Sequence, residues 1–306
     1  MKRILILLLI TLSLDVYAQQ DALYSQYMYN PFAINPAYAG SRNSYSAVLL
    51  HRSQWVGMPG APQTQSFALH APAAKSGLAW GINLAHDQIG PSRNIIASGT
   101  GAYHLTFAKS KLAFGLRAGI YNTILDRSML NFNEDNDQLD IGGKESAMVP
   151  SFDFGMYYYK QKFYAGLSVN HLTRHSFKFD DYPDTVLTNM TLRRHFMLNA
   201  GYVWELKRNF ILKPSFLFKA VPGAPVNLDL NISALFYKRF WLGLSFRNNT
   251  NIIIMTDINI TDFMRIGYAF DYNYDKFGSY NKGSHEIFIG FDFNLKNQQT
   301  ISPRYL

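Results

Sequence analysis

The chain has 306 residues, a formal net charge of +8, no cysteine, 16% charged residues and 15% aromatic ones. The missing cysteines exclude a disulfide-stapled fold, and the charge falls below the roughly 25% of an ordinary soluble domain. Beyond the N-terminus no stretch reaches the roughly 20 uninterrupted apolar residues of a spanning helix. A membrane β-barrel fits instead, because its apolar half is spread over every second residue.

Lys2 and Arg3 precede an apolar run, Ile4 to Leu14, and Val16-Tyr17-Ala18 offers a small residue at a cleavage point. Residues 1–18 are therefore expected to be a signal peptide. Its removal takes away Lys2, Arg3 and Asp15 and leaves a net charge of +7, one less than the +8 of the full chain. The expected organisation continues with a periplasmic N-terminal leader (19–43), a barrel (44–295) and a periplasmic C-terminal tail (296–306). Within the leader, Asn30-Pro31 and Asn35-Pro36 read as turns. Tyr27, Tyr29, Phe32 and Tyr38 read as anchors on the inner rim of the barrel mouth, or as a strip that docks a partner.

From Ser44 to Leu295 the pattern changes to period two. Leu78, Trp80, Ile82 and Leu84 alternate with small or polar residues, as do Phe114, Leu116 and Ile120. The same holds for Phe163, Leu167 and Val169, for Leu228, Leu230 and Ile232, and for Met264, Ile266 and Tyr268. About fourteen such segments of roughly ten residues predict tilted spanning strands, and so an all-β closed antiparallel barrel.

The connections differ by end. Short basic turns at Ala74-Lys75, Lys109-Ser110-Lys111, Lys160-Gln161-Lys162, Lys207-Arg208-Asn209 and Lys238-Arg239, with Thr261-Asp262, suit the periplasmic rim. Longer loops are expected from Trp55 to Pro62, Asp87 to Arg93, Asn122 to Val149, Thr173 to Leu192 and Asn273 to Gly283. Short exceptions are Val221 to Pro225 and Asn248 to Asn251. Outer-membrane barrels separate their loops in this way. Charge falls on the face opposite the apolar rows: Arg117, Asp153, Lys213, Lys219, Asp229, Arg247, Arg265, Asp271, Glu286 and Asp292. In the lumen these groups avoid the cost of charge facing lipid. A barrel of this girth has a lumen that is wet or occupied.

Chemistry is thinly represented. Ser98 with His104, and His195 with Ser284 and Glu286, are the nearest to a hydrolytic set, and there is no G-x-S-x-G elbow. The eight His residues form no recognised zinc-ligand motif and there is no Cys, which argues against a zinc site. Glu134, Asp135, Asp137 and Asp140 carry oxygen ligands of the kind Ca²⁺ takes, without the full loop pattern. Asp180 and Asp181 add acid on the same side, so both acidic loops are candidate partner contacts. The basic groups form no recognition helix, so nucleic acid is not an expected partner.

Several blocks resemble one family. They are Asp21-Ala22-Leu23-Tyr24-Ser25-Gln26-Tyr27-Met28, Asn30-Pro31, and Asn35-Pro36-Ala37-Tyr38-Ala39-Gly40 in the leader, then Phe163 to Val169, Leu212 to Asn231, Trp241 to Arg247, and Gly267 to Tyr272 with Gly283 to Ile287. In this order they resemble the PorP/SprF family of outer-membrane proteins of the type IX secretion and gliding systems of Bacteroidetes. The resemblance implies a non-enzymatic barrel without a cofactor, embedded in outer-membrane lipid. It implies as partner a secreted adhesin held through its type IX C-terminal domain, or a peptidoglycan-binding periplasmic lipoprotein. A passive solute channel and a lipid hydrolase are the alternatives from other classes.

Overall fold

The computed structural model describes residues 21–42, 44–73, 77–130, 143–177, 191–248 and 250–294. Its strands are β1 (Ser44–Ser53), β2 (Gln63–Pro72), β3 (Leu78–Ile89), β4 (Ser92–Thr106), β5 (Ser110–Asp126), β6 (Lys144–Lys160), β7 (Phe163–Asn170) and β8 (His195–Tyr202). They continue with β9 (Trp204–Lys207), β10 (Phe210–Ala220), β11 (Asn227–Phe236), β12 (Phe240–Arg247), β13 (Asn251–Asn259), β14 (Met264–Asn273) and β15 (Ser284–Asn294). β8 and β9 are two pieces of one strand, broken at Val203, and both pair with β10. Fourteen strands therefore make the circuit. β15 pairs with β1 from Ser44↔Asn294 to Ser53↔His285, and β10 pairs with β11, which closes the antiparallel sheet. Closure leaves no open edge, as lipid requires.

The strand faces divide as the period-two rows predict. On β11, Leu228, Leu230 and Ile232 are exposed while Asp229, Asn231 and Ser233 are buried. On β3, Leu78, Trp80, Ile82 and Leu84 face outward. Both barrel ends of the chain, Ser44 and Asn294, lie at the rim where strands join through two to five residues. That rim is the periplasmic one by the loop-length rule.

At the other rim the loops differ from expectation in two places. The stretch from Asp87 to Arg93 is not a long loop, because β3 and β4 pair as far as Ile89↔Ser92. Gly90, at φ +52°, takes a left-handed conformation there, and Pro91 needs no ladder donor. The stretch from Asn122 to Val149 is also shorter than read, since β5 and β6 pair up to Asp126↔Lys144. The acidic residues Glu134, Asp135, Asp137, Asp140, Asp180 and Asp181 lie outside the described residues, as do the expected signal peptide and the tail beyond the last strand.

The lipid-facing assignment has a measurable consequence. Replacing Ile232, which is outward and mid-strand, with Lys should lower barrel stability by about 2–4 kcal/mol. Denaturant unfolding in lipid bilayers measures it, and an unchanged midpoint would refute the assignment.

Candidate functional site: a leader sealed in the lumen

The leader lies inside the barrel. Pro31 and Pro36 each start a short helical turn, at Pro31–Ile34 and Pro36–Tyr38, where a missing N–H costs nothing. Asn35 caps the second turn by accepting from the Ala37 amide at 2.9 Å. The two Asn-Pro steps thus fold the chain into a compact strap. Asp21 meets the loop-side ends of β7 and β8, and Gly40 packs against Pro72 and Ala79 at the periplasmic rim. The strap therefore runs the height of the lumen before β1 begins.

Buried irregular backbone must find hydrogen-bond partners, and the wall supplies them. Arg247 donates to the Tyr24 carbonyl at 3.1 Å, and Arg265 to that of Tyr29 at 2.9 Å. Arg117 donates to the carbonyls of Phe32 and, at 3.2 Å, Ala33. Ser168 donates to the Ile34 carbonyl at 2.8 Å, and His104 Nε2 lies 2.7 Å from that of Ala39. In the opposite sense, Glu286 accepts the amides of Ser25 and Gln26, both at 2.8 Å.

Acidic partners hold these cations. Arg52 bonds Asp271 at 2.6 Å and Glu286 at 3.2 Å, and also donates to Ser25 Oγ at 2.7 Å. Arg247 forks onto Asp229, with contacts at 2.7 and 2.8 Å. Arg117 meets Asp153 at 3.4 Å, and the leader's own Arg42 meets Asp292 at 3.0 Å. Lys213 sits over the rings of Tyr164 and Trp241, at 5.8 and 5.7 Å.

Apolar packing completes the seal. Tyr27, Tyr29, Phe32 and Tyr38 are at most 3% exposed. They are buried anchors of the leader inside its own barrel, and the partners of Tyr29, Phe32 and Tyr38 lie near the periplasmic ends of their strands. Tyr29 packs on Trp241 and Phe288, Phe32 on His70, and Tyr38 on His70 and Tyr157. Inward glycines make room: a Cβ at Gly81 would overlap Phe32, one at Gly115 the backbone of Ala37, and one at Gly155 the side chain of Asn35.

Of the ten lumen charges read from strand parity, eight are buried, and Arg265 and Asp292 are half-buried. Arg52 and Asp257, both 1% exposed, were missed. Arg52 shares its face with Ser44 and Ser46 but is separated from them by Val48 and Leu50, which interrupt the polar row.

Residues 16–291 match the profile of a family described as type IX secretion system membrane protein PorP/SprF. The chain belongs to the PorP/SprF family. A search of curated proteins gave no match. Among solved structures, the CymD monoaromatic hydrocarbon channel is 13% identical, with 92% of this chain and 96% of that chain covered, at a TM-score of 0.51. The Ralstonia pickettii toluene transporter TbuX is 9% identical, with 92% and 99% covered, also at 0.51. At these identities the likeness concerns the fold. Family and fold together place this PorP/SprF protein in the outer membrane.

The residues weighed for hydrolysis have structural partners in this PorP/SprF barrel. His104 bonds the leader and lies 3.2 Å from the Tyr159 hydroxyl. Ser98 stands six residues away on the same strand, about 20 Å along it. Glu286 is taken up by Arg52 and the leader amides, and His195 meets Asp21.

Two variants test the seal. Gly115→Val with Gly155→Val should expel the leader, which a protease-accessible leader and a conducting barrel in planar bilayers would report. A silent barrel with a protected leader would refute the packing. Arg117→Ala strands the carbonyls of Phe32 and Ala33 and the Asp153 carboxylate, and should cost about 3–5 kcal/mol. Denaturant unfolding measures it, and a loss below about 1 kcal/mol, the level of a surface ion pair, would contradict the role given to Arg117.

Proposed function

We infer that this outer-membrane component of the type IX system works as a closed, non-enzymatic scaffold. It supports secretion or surface anchoring of a large adhesin, gripping the adhesin's C-terminal domain at the loop-side rim. The observation that carries this reading is the occupied lumen, in which the leader touches strands all round the wall and is bonded through its own backbone. A barrel built so offers its rims rather than a path.

The loop-side rim supports the reading further. The loop after β1 and the loop before β15 are joined by Val56 N–H to the Gly283 carbonyl at 2.9 Å and Lys282 N–H to the Val56 carbonyl at 2.8 Å. Trp55 packs edge-on to Phe277 at 5.0 Å, and Gly90 N–H reaches the Gly60 carbonyl at 2.9 Å. Three loops thus form one firm platform before any partner arrives, which lowers the ordering cost of binding.

In-cell crosslinking from native outer membranes, with partners identified by mass, tests the reading. A large secreted protein joined through its C-terminal region is the expected product. A periplasmic peptidoglycan-binding lipoprotein as the sole product would move the role to a cell-wall tether. No partner, together with steady conductance of the unaltered protein in planar bilayers, would make it a channel.

A further inference from the structure

Asp21, His171 and His195 meet at the loop-side end of the lumen, with one donor atom of each within 4.8 Å of the others. His171 Nε2 lies 3.0 and 3.1 Å from the two Asp21 oxygens. His195 Nδ1 lies 2.9 Å from Asp21 Oδ2. The contact is close but not aligned as a hydrogen bond, and His195, fully buried, has no hydrogen-bond partner at either ring nitrogen among the described residues. Donor atoms around a metal ion behave in this way: they crowd each other while aiming at a shared point. An ion bonded to N and O donors at about 2.0–2.2 Å holds those donors roughly 3–3.5 Å apart.

The surroundings fit a metal site as well. His171 Nδ1 lies 2.8 Å from Ser151 Oγ, which fixes the ring with Nε2 turned to Asp21. An outer partner of that kind orients metal-bound imidazoles. The His171 amide is itself held by Asp153 at 2.9 Å. A cavity of about 120 Å³, lined by Asp21, His171, Asp153, Asp229 and Lys219 among others, adjoins the cluster and has room for water on an ion. Lys219 opposes a cation there, and Asp153 and Asp229 offset it.

We propose that Asp21, His171 and His195 form a site for a first-row divalent cation of the Zn²⁺ class. Two imidazoles and one carboxylate suit such ions, whereas Ca²⁺ and Mg²⁺ take oxygen donors. The ion staples the leader's first described residue to β8 and to the chain just beyond β7. Sequence spacing hides the site, since its ligands come together only when the leader threads the lumen.

The test uses the full chain folded in detergent, stripped with chelator, and titrated with Zn²⁺ by calorimetry and with Co²⁺ by visible absorption. One equivalent should bind, with Co²⁺ bands showing nitrogen ligation. Asp21→Asn and His195→Ala should each abolish the saturable equivalent, and Ser151→Ala should weaken it about 10–100-fold. His51→Ala, an exposed histidine on the outer wall, should leave it unchanged. Heat-modifiable gel mobility confirms that each variant is folded, and Asp21→Asn lies outside the barrel wall. Absence of a saturable equivalent in the parent, or equal affinity in Asp21→Asn, would overturn the proposal and leave a plain His–Asp contact. Because the titration needs no partner, its failure is separable from failure of the scaffold reading.

Discussion

The leader's carbonyl groups need donors in a place that has no ladder to offer them. Between Tyr24 and Ala39 the strap makes only short turns, so its oxygens turn outward to the wall. Arginine answers this need well, because the guanidinium carries five donors in a rigid fork and stays charged. Arg117 serves two successive carbonyls, and Arg265 and the leader's own Arg42 share the Tyr29 carbonyl. The buried guanidiniums that hold the leader then call for anions, since an unpaired buried charge is costly. Asp153, Asp229, Asp271, Glu286 and Asp292 follow from that second requirement. The lumen ion pairs are thus a consequence of the leader, and a barrel without it would have little use for them.

Shape obeys the same constraint. A fourteen-stranded wall encloses more space than its own side chains fill. The aromatic rings of the leader occupy the middle, and glycines on β3, β5 and β6 let the strap approach the sheet. Gly115 and Gly155 lie directly opposite each other across β5 and β6, which makes one smooth seat beneath Asn35-Pro36-Ala37. The inner wall is therefore polar where it meets leader backbone and apolar where it meets leader rings. Such a surface suits one bound segment better than a water column.

This mixture decides what the sequence could reveal. Strands such as β11, with Asp229, Asn231 and Ser233 inside, show a clean alternation and were legible with their faces. β1 was blurred, because Val48 and Leu50 point inward against the leader while Leu49 points to lipid. Both faces are apolar there, so Arg52 was not recognised as a lumen residue. Hairpin length was under-read at Gly90 and beyond Tyr121, because strands that project past the bilayer no longer need an apolar face. The leader's aromatic character was plain, but its place was not. A turn-rich segment carries no period, and its position depends on donors contributed by strands more than 200 residues later, such as Arg247 and Arg265.

That separation bears on assembly. The leader precedes every strand, yet its ligands include Glu286 and Asp292 on β15, the strand that pairs with β1 to close the sheet. Ser25 and Gln26 cannot be satisfied until β15 has docked beside β1. Arg42, just before β1, pairs with Asp292 across the same seam. Closure of the barrel and seating of the leader thus draw on the same residues, so each stabilises the other. An open sheet would leave the leader's amides unbonded, and a closed sheet without the leader would leave Glu286 bonded to Arg52 alone among the contacts described for it. The seam between first and last strand is here fastened from inside by the chain's own N-terminal strap.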